Sequence, residues 1–205
     1  LEGGTRAMKK IVIATKNQGK VKEMIRAFRG MDVELVSLAQ FAQVPEAVED
    51  GSTFSENALI KARFYAKETG LACLADDSGL EVDALGGAPG VYSARFAGET
   101  ADDGANNEKL VKELVGINRS DSPASYRCVL AFVDGAGTEV LTEGICSGII
   151  RIIPAGDQGF GYDPYFYLPK QQKTMAELSL EEKNAISHRG MAIKEMEVKL
   201  AGYLR

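Results

Sequence analysis

Two rhythms of apolar residues run along this chain. Residues 9–14 (KKIVIA) pass from a basic start into an unbroken apolar run, the pattern of a strand covered on both faces. The polar stretch TKNQGK follows, and then Val21, Met24, Ile25 and Phe28 recur at helical spacing, which predicts a helix from about Gly19 to Gly30. Residues 33–36 predict a second short strand. Thr53 and Glu56 form a capping box at the head of a stripe of Phe54, Ala58, Ala62 and Tyr65, so a helix is expected there with Gly70 as its stop. Residues 71–75 predict a short strand that ends at two adjacent carboxylates, Asp76 and Asp77, and a glycine-rich bend. Residues 100–116 predict an amphipathic helix with Leu110, Leu114 and Val115 inward. Strict alternation of Tyr126, Cys128, Leu130 and Phe132, a turn at 134–137 and a return over 139–153 predict a hairpin of long strands. Ser179 and Glu182 cap a short helix carrying Lys183. Ser187 caps a last helix with Ala192, Met196, Leu200 and Tyr203 inward. Strand–helix units early and a meander late give an α/β fold with a mixed sheet.

With 205 residues, 45% of them hydrophobic and 26% charged, the chain is long enough for one substantial core, and 8–205 is expected to be a single domain. The opening LEGGTRA has no periodicity and reads as the remnant of an expression tag at 1–7. A net charge of −5 speaks against a nucleic-acid coat, so any bound phosphate must meet local cations. No apolar run approaches the roughly 20 residues that span a bilayer, so no membrane partner is expected. The cysteines, Cys73, Cys128 and Cys146, are odd in number, far apart and embedded in apolar runs, which suits small buried hydrophobes in a reduced, cytoplasmic setting. A single histidine removes any His-cluster metal site.

Candidate chemistry falls in five places. Asp76 and Asp77 are sent to opposite sides by strand alternation; carboxylates so placed hold a hard cation such as Mg2+, or they belong to an acidic turn before a surface loop. Thr15, Asn17 and Lys20 lie between a strand and a helix N-terminus, where phosphate is favoured, although Asn17 serves equally as a helix cap. Glu49 stands in an acidic loop ahead of a fixed helix start, either beside the paired carboxylates or as a solvated charge. In GDQGFGYDPYF, Phe160 or Tyr162 can stack on a flat base while Asp163 accepts from a ring N–H, or the aromatics plug the edge of the core. His188 and Arg189 project as cations from the first turn of the last helix, toward an anion or carbonyl oxygen, unless the histidine is structural.

Taken in register, TxNxxK, ADDSGL with GGAPGVYSARF, GFGYDP and SHR resemble the inosine triphosphate pyrophosphatase family over essentially 8–205, with no departure at the motif positions. The resemblance implies an elongated, two-lobed α/β domain with a long central mixed sheet flanked by helices, an active-site cleft between the lobes, and a homodimer. It implies hydrolysis of non-standard purine nucleoside triphosphates (ITP, dITP, XTP) to the monophosphate and pyrophosphate with Mg2+. Matched position by position, Thr15, Lys16, Asn17, Gln18, Gly19 and Lys20 would grip the triphosphate, and Glu49 and Asp77 would hold Mg2+. Asp77 would also accept the proton of the attacking water, with Asp76 shaping the acidic turn. Ser78 would touch substrate, and Phe160, Gly161, Tyr162, Asp163, Lys183, His188 and Arg189 would enclose the base and nearby phosphates. Two other readings remain: a related pyrophosphatase with another base preference, and a nucleotide-binding regulatory module without turnover.

Overall fold

The computed structural model describes residues 8–41 and 44–203; the segment 1–7 read as a tag remnant lies outside them. Among these residues seven strands, β1 (Lys9–Ile13), β2 (Val33–Ser37), β3 (Ala72–Val82), β4 (Asp121–Val133), β5 (Glu139–Arg151), β6 (Phe166–Leu168) and β7 (Lys173–Thr174), form one sheet in the order β2-β1-β3-β4-β5-β6-β7. The β1 strand pairs parallel with both β2 and β3, and every later pairing is antiparallel. Among the described residues five α-helices flank the sheet: α1 (Gln18–Ala27), α2 (Phe54–Thr69), α3 (Asp103–Gly116), α4 (Leu180–Ile186) and α5 (His188–Leu200).

The expected caps are formed. Thr53 and Glu56 make a reciprocal capping box on α2, which ends at left-handed Gly70. Ser179 and Glu182 do the same for α4, and the Ser187 side chain accepts from the Gly190 N–H to start α5. Departures follow from packing. Asp76 and Asp77 do not end a short strand; they sit mid-way along an eleven-residue β3, opposite Leu130 and Val129 of β4. The long β4 supplies a hydrogen-bond partner along the whole of β3, so the ladder runs through the carboxylates. Val115 is 52% exposed because it lies one residue, and so about 100°, beyond Leu114. In α1 Ile25 is 47% exposed whereas Glu23 is buried, since Glu23 has cationic partners on the inner face.

Alternation along β3 and β4 lays out the core. On one face Leu74, Cys128, Leu130 and Phe132 pack beneath α1 and α5, and Leu80, Val82, Ala124 and Tyr126 pack beneath α3 and the segment around Tyr162. On the opposite face Cys73, Ala75, Val129 and Ala131 pack beneath α2. The first face therefore carries two apolar clusters, and between them β3 places only Asp76 and Ser78. That gap is the cleft between the lobes. All three cysteines are free and buried; burial pushes the Cys73 thiol up to about 12 and the Cys146 thiol to about 11. Among the described residues no helix is long and apolar enough to cross a membrane.

Candidate active site

The parallel strand β1 ends at Ile13, so β3 has no strand neighbour on that side beyond Leu74, where the Ala14 N–H donates to its carbonyl (2.9 Å). The free edge of β3 at Asp76 is bordered instead by the loop from Thr15 into α1, the usual ligand position at the C-terminal ends of parallel strands. Asn17 is the N-cap of α1, its side chain accepting from the Lys20 N–H at 3.1 Å. It also lines the cleft with Lys20, so the cap reading and the substrate-loop reading meet in one residue. Thr15 Oγ1 accepts from the Asn17 N–H at 3.2 Å. Lys16 points away to an exposed pair with Glu46 at 2.6 Å, and neither it nor Gln18 lines the cleft.

Asp76 is wholly committed. Its Oδ1 takes the Lys20 ammonium and the Ser78 hydroxyl (3.1 Å), and its Oδ2 takes Arg189 Nε (2.9 Å) and the Cys128 thiol (3.1 Å). Burial alone would raise this carboxyl, but Arg189 and Lys20 overcome it and hold it well below the ordinary carboxylate range. Arg189 also donates to Glu23 and to Ser78 Oγ (2.9 Å). Lys183 bridges Glu23 (2.7 Å) and Asp163 (2.6 Å). Glu23, which sequence reasoning missed, thus ties together two cations that flank the Phe160 ring, with Lys183 Nζ 4.5 Å and Arg189 Cζ 5.7 Å from its centroid. The ring lies against Gly19, where any Cβ would meet it. Phe160 is half-buried and lines the cleft, whereas Tyr162 is buried in the lobe core with its hydroxyl donating to the Ser93 carbonyl (2.7 Å).

His188 corrects the expectation of a second cation. Its ring stacks on Tyr126 with centroids 4.6 Å apart, and Nδ1 is buried without a partner. Burial first, then the Arg189 charge, push its pKa well below 6.5, so it is neutral. The sign for stability follows: below pH 6.5 the unfolded chain takes up a proton that the native state refuses, so stability falls as pH falls, by up to about 1.4 kcal/mol per pH unit. The melting temperature is expected to drop more steeply from pH 7 to 5 in the wild type than in His188→Gln; equal slopes would contradict a neutral buried His188.

Asp77 points to the other face of β3, toward α2. Lys61, also missed, stands between Glu49 Oε2 (2.8 Å) and Asp77 Oδ1 (3.2 Å), and the remaining Asp77 Oδ2 is buried with no partner. Lys61 was legible as a lysine at an inward position of the α2 stripe, between Ala58 and Ala62. Burial raises the Asp77 pKa above 3.8, against the pull of Lys61 and Lys20. Two hard carboxylates, one with an unused oxygen, suit Mg2+, which is held by one or two carboxylates with water and phosphate completing its shell. Among the described residues no group of three or more His, Cys, Asp or Glu has metal-site spacing. The predicted residues thus form two groups on opposite faces of β3, joined around its free edge by Lys20.

A profile described as the Ham1 family matches residues 11–199. The chain is 51% identical over 190 residues to a dITP/XTP pyrophosphatase of Desulforamulus reducens, covering 92% of this chain and 94% of that one. It is 48% identical over 196 residues to a dITP/XTP pyrophosphatase of Bacillus cereus, covering 95% and 96%. Among solved structures, a HAM1 protein from Coxiella burnetii aligns with a TM-score of 0.85 at 44% identity, over 95% of this chain and all of that one. A nucleoside-triphosphatase, dITP/XTP pyrophosphatase, from Mycobacterium abscessus aligns with a TM-score of 0.70 at 47% identity over 91% and 98%. With a family match over most of its length, close relatives matched end to end and the same mixed-sheet architecture, this chain belongs to the Ham1 family.

Proposed function

We propose that this protein, as a single catalytic domain over 8–205, hydrolyses ITP, dITP and XTP to the monophosphate and pyrophosphate and so clears them from the cytoplasmic nucleotide pool. The observation that carries the reading is the unequal fate of two neighbouring carboxylates: Asp76 is saturated by cations and donors, while Asp77 keeps a buried, unpartnered oxygen. A buried carboxylate with a raised pKa and a free lone pair is suited to accept a proton from water attacking the α-phosphorus. Asp76 instead holds Lys20 and Arg189 at the free edge of β3, where the triphosphate of a base-stacked nucleotide would pass. Lys20 and Lys61 meet the phosphate charge, and the α1 N-terminus adds unpaired N–H groups.

Glu49 and Asp77 would hold Mg2+, displacing the Lys61 ammonium toward phosphate. When bound, the ion neutralises charge growing on the pyrophosphate leaving group. The base would stack on Phe160, with Arg189 and Lys183 donating to a 6-keto oxygen; adenine would set its 6-amino donor against those donors and is rejected. Two copies are expected to associate as a homodimer.

Product analysis with ITP, XTP, GTP and ATP in Mg2+ tests the reading. ITP and XTP should give monophosphate and pyrophosphate with kcat/KM about 100-fold above ATP. Release of diphosphate and phosphate would mean attack at the γ-phosphorus and overturn the mechanism. Tight binding without turnover would favour a regulatory module, and a pyrimidine preference a different pyrophosphatase.

A further inference from the structure

The base platform is a loop residue, yet its neighbour is gripped at both backbone groups by one helix. The Gly161 N–H donates to Asp103 Oδ2 at 2.7 Å, and the Gly161 carbonyl accepts from Asn107 Nδ2 at 2.9 Å. Asp103 and Asn107 lie one helical turn apart on the first turns of α3, so they present an acceptor and a donor in line. The Asn107 amide is set for this contact: its Oδ1 is buried without a partner, and turning the amide over would face oxygen to oxygen. The rest of the loop is braced to β3. The Tyr162 hydroxyl donates to the Ser93 carbonyl, and Ser93 Oγ accepts from the Leu80 N–H at 2.8 Å. The Phe160 N–H donates to Asp163 Oδ2 at 3.0 Å.

We infer that Asp103 and Asn107 are positioning residues for nucleotide recognition: by clamping Gly161 they fix the Phe160 ring in register with the Asp76 edge of β3 and so set affinity for the base, without touching the reacting atoms. The inference rests on the proposed stacking of a purine on Phe160. Loss of either bond lets the ring wander, and it does so in the bound ground state and in the transition state alike, so the cost falls on binding rather than on the chemical step.

The test compares wild type with Asp103→Ala, Asn107→Leu and Asp103→Asn. Readouts are KM and kcat for ITP and the inhibition constant of inorganic tripolyphosphate, which has the phosphates but no base. Each of the first two variants should raise KM for ITP about tenfold, with kcat and the tripolyphosphate constant within about twofold of wild type. Asp103→Asn keeps an acceptor oxygen and should restore most of the affinity. Should Asp103→Ala fail to fold through its place in the first turn of α3, Asn107→Leu and Asp103→Asn carry the comparison. Unchanged KM in Asp103→Ala and Asn107→Leu, or a KM rise matched by an equal rise in the tripolyphosphate constant, overturns the assignment. Failure of the wild type to cleave ITP overturns the function beneath it and is read before any variant is made.

Discussion

Asp77→Asn is expected to lower kcat for ITP by about 10³-fold with KM little changed, since removing a positioned general base costs roughly 10² to 10⁴. Asparagine fills the same space on β3 but cannot take a proton from water or present two anionic oxygens to a metal. The fold should tolerate it. Burial already opposes the charge of Asp77, raising its pKa, so a neutral isostere removes an unfavourable charge, and Lys61 keeps Glu49 as its partner at 2.8 Å. The melting temperature should therefore be unchanged or higher. Loss of activity in a fully folded variant isolates the chemistry; activity within tenfold of wild type would remove Asp77 from the catalytic role and reopen the assignment of the base.

Arg189→Leu is expected to be the most destabilising single change at the site, because it takes the shared cation from two buried carboxylates, leaving Asp76 only Lys20 and Glu23 only Lys183, beside a shortened apolar side chain. Breaking a buried pair from one side costs about 3–5 kcal/mol, which for a domain of this size lowers the melting temperature by roughly 10 °C. Burial pushes both carboxyls up. Arg189, with Lys20 at Asp76 and Lys183 at Glu23, more than reverses that, so both are lowered in the native state. The pH sign follows from those directions. A carboxylate lowered on folding contributes stability that is complete above its unfolded value, 3.8 for Asp76 and 4.5 for Glu23, and that is lost as pH falls through the folded value. Wild type and variant should differ most above about pH 5 and converge in acid. A variant with wild-type stability at pH 7 would show that Arg189 does not hold the pair together.

Much of this protein could be read before any coordinates, and the boundary has a physical basis. Periodicity, caps and stops are local: Thr53 with Glu56, Ser179 with Glu182, Ser187 and Gly70 act within one or two turns of chain, and they stand where the pattern put them. The sheet order and the length of β3 are not local. They depend on β4, whose residues pair with β3 from 42 to 60 positions away, and that pairing carries Asp76 and Asp77 into the middle of a strand. Alternation already said that the two carboxylates face opposite ways. Which one keeps an unpaired oxygen depends on Arg189, Lys20, Lys61 and Cys128, brought from four other elements. Glu23 drew no notice in the sequence and His188 looked like a cation, because charge and burial are set by partners distant along the chain. Sequence pattern thus decides which segments are helix or strand and which residue types gather at their ends, since those energies are short-ranged. The protonation, pairing and openness of each side chain are decided only when the two apolar clusters close on the polar gap at Asp76, because desolvation and ion pairing exist only after the chain has excluded water there.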